Sequence, residues 1–208
     1  NKKIIKKLLK KQIKKIKYNV LIIGSSQGLG QDIFNIFKDN KKIKKFVTFN
    51  KNKIKKDSNT IFPVKFNVYD QISKMDEIIN FNTPIKIYYF ASPKIYFDNK
   101  ITLSIKNDYK FIFLNFPLLL LNRYKKKNIR FFYPSTSNIL ENKNSYYSKI
   151  KLNAEHKIRK ICSKNQIPLQ IIRFPALNSR QSVSLTNPSP ISLPEYLKQF
   201  PKLINKIF

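Results

Sequence analysis

Val20-Leu21-Ile22-Ile23-Gly24-Ser25-Ser26-Gln27-Gly28-Leu29-Gly30 holds every glycine of the 208-residue chain. Three glycines scattered at random would take this spacing in roughly one arrangement in seven thousand, so a backbone requirement explains it better than composition does. The four apolar residues predict a buried strand, and the residues from Leu29 onward predict a helix. A strand that ends in a tight glycine turn and passes into a helix points the helix's free N–H groups at the loop. That arrangement makes a seat for a dinucleotide's pyrophosphate. Gly24 is expected to make the turn, Gly28 to let the phosphates approach and Gly30 to let the helix pack on the sheet. Ser25, Ser26 and Leu29 complete the expected cofactor loop, where a plain strand-to-helix turn would need only one glycine.

Working outward from that loop, short β-rich runs alternate with helical stretches, the pattern of βαβ units around a parallel sheet. Strands are predicted over 19–23, 45–49, 61–66, 85–90, 129–133 and 169–173, and helices over 29–38, 70–79, 101–124 with a break at Pro117, and 145–164. The fold class read from this is α/β, a doubly wound parallel sheet with helices on both faces, over residues 18–208. A stretch rich in Ser, Asn and Pro follows Pro175, and an amphipathic segment closes the chain over 195–208. Residues 1–17 read as a separate basic amphipathic helix, with Ile4, Ile5, Leu8, Leu9, Ile13 and Ile16 at helical spacing among lysines. That helix is expected to pack on its own domain or on a fused or associated upstream domain, against the alternative of an anionic membrane surface.

The chain carries 42 basic and 11 acidic side chains, a net charge of +31. Such an excess would ordinarily point to nucleic acid. Lysine outnumbers arginine 37 to 5, however, among abundant Ile, Asn, Phe and Tyr, which is the joint signature of AT-rich codons. Because arginine is the residue favoured for bidentate phosphate and guanine recognition, its scarcity makes a nucleic-acid partner the least favoured of the readings. One cysteine and one histidine rule out a disulfide framework, a cysteine-based zinc site and a multi-histidine metal site, and no metal is expected. No apolar run approaches the ~20 residues of a bilayer span, and the opening residues lack an h-region, so a cytoplasmic protein without a signal peptide is expected.

The glycine spacing is GxxxGxG, and here the sequence resembles the short-chain dehydrogenase/reductase superfamily. Three further stretches support the likeness over residues 18–177. Tyr147-Ser148-Lys149-Ile150-Lys151 falls on the predicted 145–164 helix, where that family has its Tyr-x-x-x-Lys pair, and a four-residue interval puts both side chains on one helical face. An ammonium beside a phenol would lower the phenol's pKa from ~10 toward working pH. Tyr146 has no lysine four residues on. Phe131-Phe132-Tyr133-Pro134-Ser135-Thr136-Ser137 resembles the family's fifth strand with its terminal hydroxyl cluster, and Arg173-Phe174-Pro175-Ala176 resembles its Pro-Gly turn with alanine for glycine.

The resemblance implies a Rossmann-like fold and an NAD(P)-dependent oxidoreductase acting on a small-molecule carbonyl or hydroxyl substrate. By it, Tyr147 is the acid/base, Lys151 lowers its pKa and holds the ribose, Thr136 bonds the carbonyl oxygen with Ser135 and Ser137 as competing neighbours, and Asn115 is the fourth catalytic residue, with Asn107 competing. Asn67 and Val68 stand where the family contacts adenine, and Ala91 in the turn Phe90-Ala91-Ser92-Pro93; Pro175 lies near the nicotinamide. His156 and Cys162 are expected to be bystanders. A small ketone or a 3-ketoacyl thioester is the default substrate. Arg-Phe-Pro and the extension of the tyrosine motif to Glu155 lean toward nucleotide-sugar epimerases and reductases, although only about thirty residues follow Pro175. A catalytically degenerate NAD(P)-binding module and a homo-oligomeric assembly stay open beside the enzyme reading. NADP(H) is expected over NAD(H), because the second strand ends Phe49-Asn50-Lys51-Asn52-Lys53 with no acid before Asp57 to bond a ribose 2′-hydroxyl. Asn50 is expected to donate to a 2′-phosphate, and Lys51 or Lys53 to reach it as a point charge.

Overall fold

The computed structural model describes residues 9, 11–12, 17–79, 83–96, 98–177 and 191–208. Six strands form one parallel sheet: β1 (Asn19–Ile23), β2 (Lys45–Phe49), β3 (Ile61–Lys65), β4 (Ile85–Tyr89), β5 (Ile129–Thr136) and β6 (Leu169–Phe174). Their order is β3-β2-β1-β4-β5-β6, so the chain reverses direction across the sheet between β1 and β4. The helices are α1 (Gly28–Phe37), α2 (Leu103–Lys110), α3 (Phe116–Tyr124), α4 (Asn138–Glu141), α5 (Tyr146–Lys164), α6 (Leu193–Gln199) and α7 (Lys202–Ile207).

Period-two alternation explains why the strands read as unbroken apolar runs. In β1, Val20 and Ile22 join a core with Phe34 and Phe37 of α1 and Leu197 of α6, whereas Leu21 and Ile23 join the core under α2, α3 and α5. With helices covering both faces, both side-chain sets are buried. The aromatic strands follow the same rule: Tyr88 and Phe132 face the first core, and Tyr89, Phe131 and Tyr133 the second. Pro63 is tolerated because β3 is an edge strand.

The predicted strands are all present, with β5 running three residues further, through Thr136. Two predicted helices differ. Over 70–79 only a 3₁₀ turn, Ile72–Met75, forms. Asp70, which would have opened a helix, instead accepts a hydrogen bond from Asn67 N at 3.0 Å and pairs with Lys74 at 3.2 Å. The expected break at Pro117 is absent: Pro117 lies at the first turn of α3, and Phe113 O, which its missing N–H leaves unbonded, accepts from the sheet instead. A π-helical turn, Phe111–Asn115, links α2 to α3 instead. The bonds lost around it are replaced from the sheet: Tyr89 Oη donates to Ile112 O at 2.6 Å and Tyr133 Oη to Phe113 O at 2.8 Å.

The closing amphipathic segment is two helices rather than one, since Pro201 forces Phe200 out of the helical region (ψ 65°). Of the predicted N-terminal helix, only Leu9, Lys11 and Gln12 are described: Leu9 packs against the α1 core and Gln12 Nε2 donates to Asn205 Oδ1 at 2.6 Å. The remainder of that helix, and residues 178–190 of the Ser/Asn/Pro-rich stretch, lie outside the described residues. Among the described residues no helix is long and apolar enough to cross a membrane, and no cluster of side chains suits a metal ion.

Candidate active site

A cavity of about 700 Å³ opens where β1 and β4 diverge, at the carboxyl ends of the strands. Ligands of open α/β sheets bind at that switch point, and the volume suits a cofactor (~300–1,000 Å³). Its floor is the glycine loop. Gly24 has φ 82°, and a Cβ there would stand 2.7 Å from Ala91 N. Gly28, with φ 58°, also needs the left-handed region. Gly30 would bring a Cβ to 2.1 Å from Gly24 O, so α1 lies on the loop as closely as backbone allows.

Thr48 holds the loop in place. Its Oγ1 accepts from Gly24 N at 3.0 Å, and its carbonyl accepts from Ser25 Oγ at 2.7 Å. Ser25, expected to touch the cofactor, is buried and committed to β2, so it shapes the loop without lining the cavity. Ser26, Gly28 and Leu29 do line it. The N-cap of α1, Gln27, makes no side-chain cap, and the first turn holds no acidic residue. The amides at this helix N-terminus therefore meet no competing carboxylate, which fits the diphosphate of a dinucleotide.

Toward the sheet edge, Asn50, Asn67 and Val68 line the cavity. Asn67 Oδ1 accepts from Tyr69 N at 3.3 Å, which fixes the amide at the rim. Lys51, expected to reach a 2′-phosphate, is exposed and lies outside the lining. The first acid after β2, Asp57, is paired with Lys38 at 2.6 Å on the surface. None of residues 50–56, which follow β2, is acidic.

At the other end, Thr136, Tyr147, Lys151, Ala91 and Pro175 share the lining. Ser145 caps α5 by accepting from Ser148 N at 3.0 Å, which starts the helix just before Tyr147. Burial raises the Tyr147 phenol above its ordinary value, and a hydrogen bond from Thr136 opposes that shift. Tyr146 points elsewhere, with its Oη on Lys106 O at 3.4 Å. Among the described residues Lys45, Lys86 and Lys151 are the buried lysines; Lys45 Nζ donates to Asn40 O and Lys86 Nζ to Ile207 O, and Lys151 alone of the three lines the cavity.

Lys151 does not sit as the sequence suggested. Its Nζ donates to Pro134 O at 2.6 Å and lies 4.2 Å over the Tyr133 ring and 4.8 Å over the Phe113 ring. Burial lowers its pKa to about 7, against an opposing pull from Glu155. The expected lowering of the Tyr147 phenol by this ammonium is absent here, because burial works against both charged forms.

Asn115 is corrected. It is exposed on the outer face and outside the cavity, as is Asn107. The π turn accommodates one extra residue, and each residue of a helix advances the face by about 100°, so counting along a regular helix selects the wrong side chain. Phe113 faces the cavity instead, edge-on to the Tyr147 ring at 5.5 Å. Thr48 and Phe113 were missed from the sequence; Thr48 was detectable as the polar residue near the carboxyl end of an apolar strand, whereas nothing local announced Phe113. His156 is exposed, burial pushes the Cys162 thiol up to about 12, and neither lines the cavity.

No family model and no curated protein matches the sequence. Solved structures do match the fold. A short-chain dehydrogenase family protein from Francisella tularensis superposes with a TM-score of 0.69 at 11% identity, over 93% of this chain and 94% of that one. A 3-oxoacyl (acyl-carrier-protein) reductase from Agrobacterium tumefaciens with NADP bound gives 0.63 at 13% identity, over 89% and 76%. UDP-glucuronic acid 4-epimerase from Bacillus cereus in complex with NAD gives 0.64 at 15% identity, over 80% and 59%. The fold is thus the Rossmann-like fold of the short-chain dehydrogenase/reductases.

Proposed function

We propose that the chain is an oxidoreductase that binds NADP(H) and interconverts a carbonyl and a hydroxyl on a small molecule. The observation that carries this reading is the convergence of Thr136, Tyr147 and Lys151 on one wall of the cavity whose floor is the glycine loop. The nicotinamide, when bound, supplies hydride to the carbonyl carbon or takes it back. The residues of the chain do the rest. Amides of the glycine loop and of the α1 N-terminus hold the diphosphate, and Asn67 and Val68 face the adenine. Asn50 meets the 2′-phosphate from the rim, with Lys51 and its neighbours attracting it from solvent. Thr136 donates to the substrate oxygen, and Tyr147 Oη delivers a proton to that oxygen as it gains charge; in the reverse direction the phenolate takes the proton back. Lys151 turns from Pro134 O to the ribose and stabilises the phenolate. A small ketone or a 3-ketoacyl thioester is the substrate class we assign to this cavity, whose lining includes Phe90, Phe113 and Phe174 beside the polar residues.

The seat of Lys151 on Pro134 O favours a second reading, in which the chain holds the nucleotide without turnover and serves as a binding module. Tyr147→Phe tests both. NADPH should raise the melting temperature of wild type and variant alike, and a ketone panel should oxidise NADPH with the wild type only. Stabilisation without turnover of any ketone in the wild type supports the binding module, and activity kept in Tyr147→Phe removes Tyr147 from the mechanism.

A further inference from the structure

An ion pair with one buried partner lies directly behind the proposed site. Glu155, 1% exposed, accepts from Arg173 Nε at 2.9 Å and Nη2 at 2.8 Å, a two-point bridge from α5 to β6. The pair is asymmetric. The Arg173 side chain keeps 36% of its surface in solvent, while that of Glu155 keeps 2%. Water therefore screens the guanidinium far better than the carboxylate, and a net negative field remains inside the protein.

Lys151 lies one helical turn from Glu155 on the same face of α5, both buried. Its own contacts are a carbonyl oxygen and two aromatic faces, none of which carries formal charge. The intervening strand joins the two. Pro134 provides the lysine's acceptor, Ser135 pairs in register with Arg173, and Thr136 meets Tyr147. Ser135 Oγ makes no hydrogen bond of ordinary length and faces the Glu155 carboxylate.

We propose that Glu155 is a positioning residue: held by Arg173, its carboxylate balances the charge of Lys151 one turn away and so keeps the ammonium in the cavity wall, where it is seated on Pro134 O while no ribose is bound. The other groups around the lysine do not supply this charge. Tyr147 on α5, Tyr133 on β5 and Tyr109 on α2 are all raised above their ordinary values by burial and stay neutral. Arg173 from β6 and Arg159 from α5 act on Glu155 itself; burial would raise its carboxyl, and these cations with Ser135 outweigh that and lower it. Glu155 is thus ionised wherever Lys151 titrates. The claim bears on the proposed redox function only through the place of Lys151 in it.

A double-mutant cycle on the full chain decides it. Wild type, Glu155→Gln, Lys151→Met and the double variant are melted at pH 6, where Lys151 is charged, and at pH 9, where it is neutral. Glu155→Gln should lower the melting temperature by about 3 °C or more beyond its effect in the Lys151→Met background at pH 6, and this excess should vanish at pH 9. Equal losses in both backgrounds at both pH values would reduce Glu155 to a clamp between helix and strand and overturn the proposal. If Glu155→Gln does not fold with Arg173 unpaired, Glu155→Gln/Arg173→Met removes both charges, and the same excess must appear with it. NADPH is then added to each protein. Stabilisation of none refutes the dinucleotide reading, while the cycle still decides the role of Glu155.

Discussion

Gly30→Ala is the substitution with the most definite structural consequence. A Cβ at Gly30 would stand 2.1 Å from Gly24 O, a backbone atom that cannot rotate aside. Ordinary contact needs about 3.4 Å, so α1 or the loop must move by roughly 1.3 Å. Gly24 is itself blocked from yielding, because its own position is closed in by Ala91 N and by the Phe90 carbonyl carbon, each 2.7 Å from a Cβ built there. The helix must therefore lift, which withdraws its N-terminal amides from the cavity. Overpacking of this kind costs about 3 kcal/mol, at the upper end of its usual range. For a chain of this size that is roughly 6–12 °C in melting temperature. Gly28→Ala makes the comparison for stability: without ligand it imposes the left-handed conformation at φ 58°, about 1–2 kcal/mol, and with NADPH its methyl group also enters the phosphate seat. Calorimetric melts with and without NADPH read both effects. A Gly30→Ala protein that melts within a degree of wild type and binds NADPH equally well would refute the packing argument and the role assigned to the loop.

Three further outcomes are expected. Burial holds Lys151 and Lys86 down to about 7, against ~10.4 in an unfolded chain. Between those values the unfolded chain binds more protons, so stability should rise with pH from 7 to about 10. Lys151→Met should flatten part of that rise in urea melts, and parallel curves for the two proteins would dismiss the buried-charge account. NADPH should bind about tenfold more tightly than NADH at low salt, and Lys51→Glu should shrink the difference; because Lys51 is exposed, the preference should also fade as salt is added. Equal affinities at low salt would show that the rim near Asn50 was misread. Asn115→Ala should leave melting within the range of neutral surface changes and NADPH binding unaltered, whereas Phe113→Ala should cost about 3–5 kcal/mol; a functional loss in Asn115→Ala alone would restore it to the site.

The contrast between Gly30 and Asn115 shows where reading a sequence succeeds and where it stops. The glycine loop was legible because its requirement is local: a tight turn and a close backbone approach admit few residues, and the chain spends all three of its glycines there. The parallel sheet was legible because strands buried on both faces leave continuous apolar runs, and Tyr147 with Lys151 because four residues close one helical turn. Asn115 failed for the opposite reason. Which face of the 101–124 stretch meets the cavity depends on a π turn at Phe111–Asn115, and the carbonyls left unpaired around that turn and at Pro117 are satisfied by Tyr89 and Tyr133 from strands β4 and β5. Their hydroxyls come from 23 and 20 residues away in the chain. The lysine seat is non-local in the same way, since Pro134 O, Tyr133 and Phe113 come from separate elements and meet only when the helix docks on the sheet. Local rules thus identify the residues that chemistry would use, and tertiary packing decides which of them reach the cavity and in what charge state.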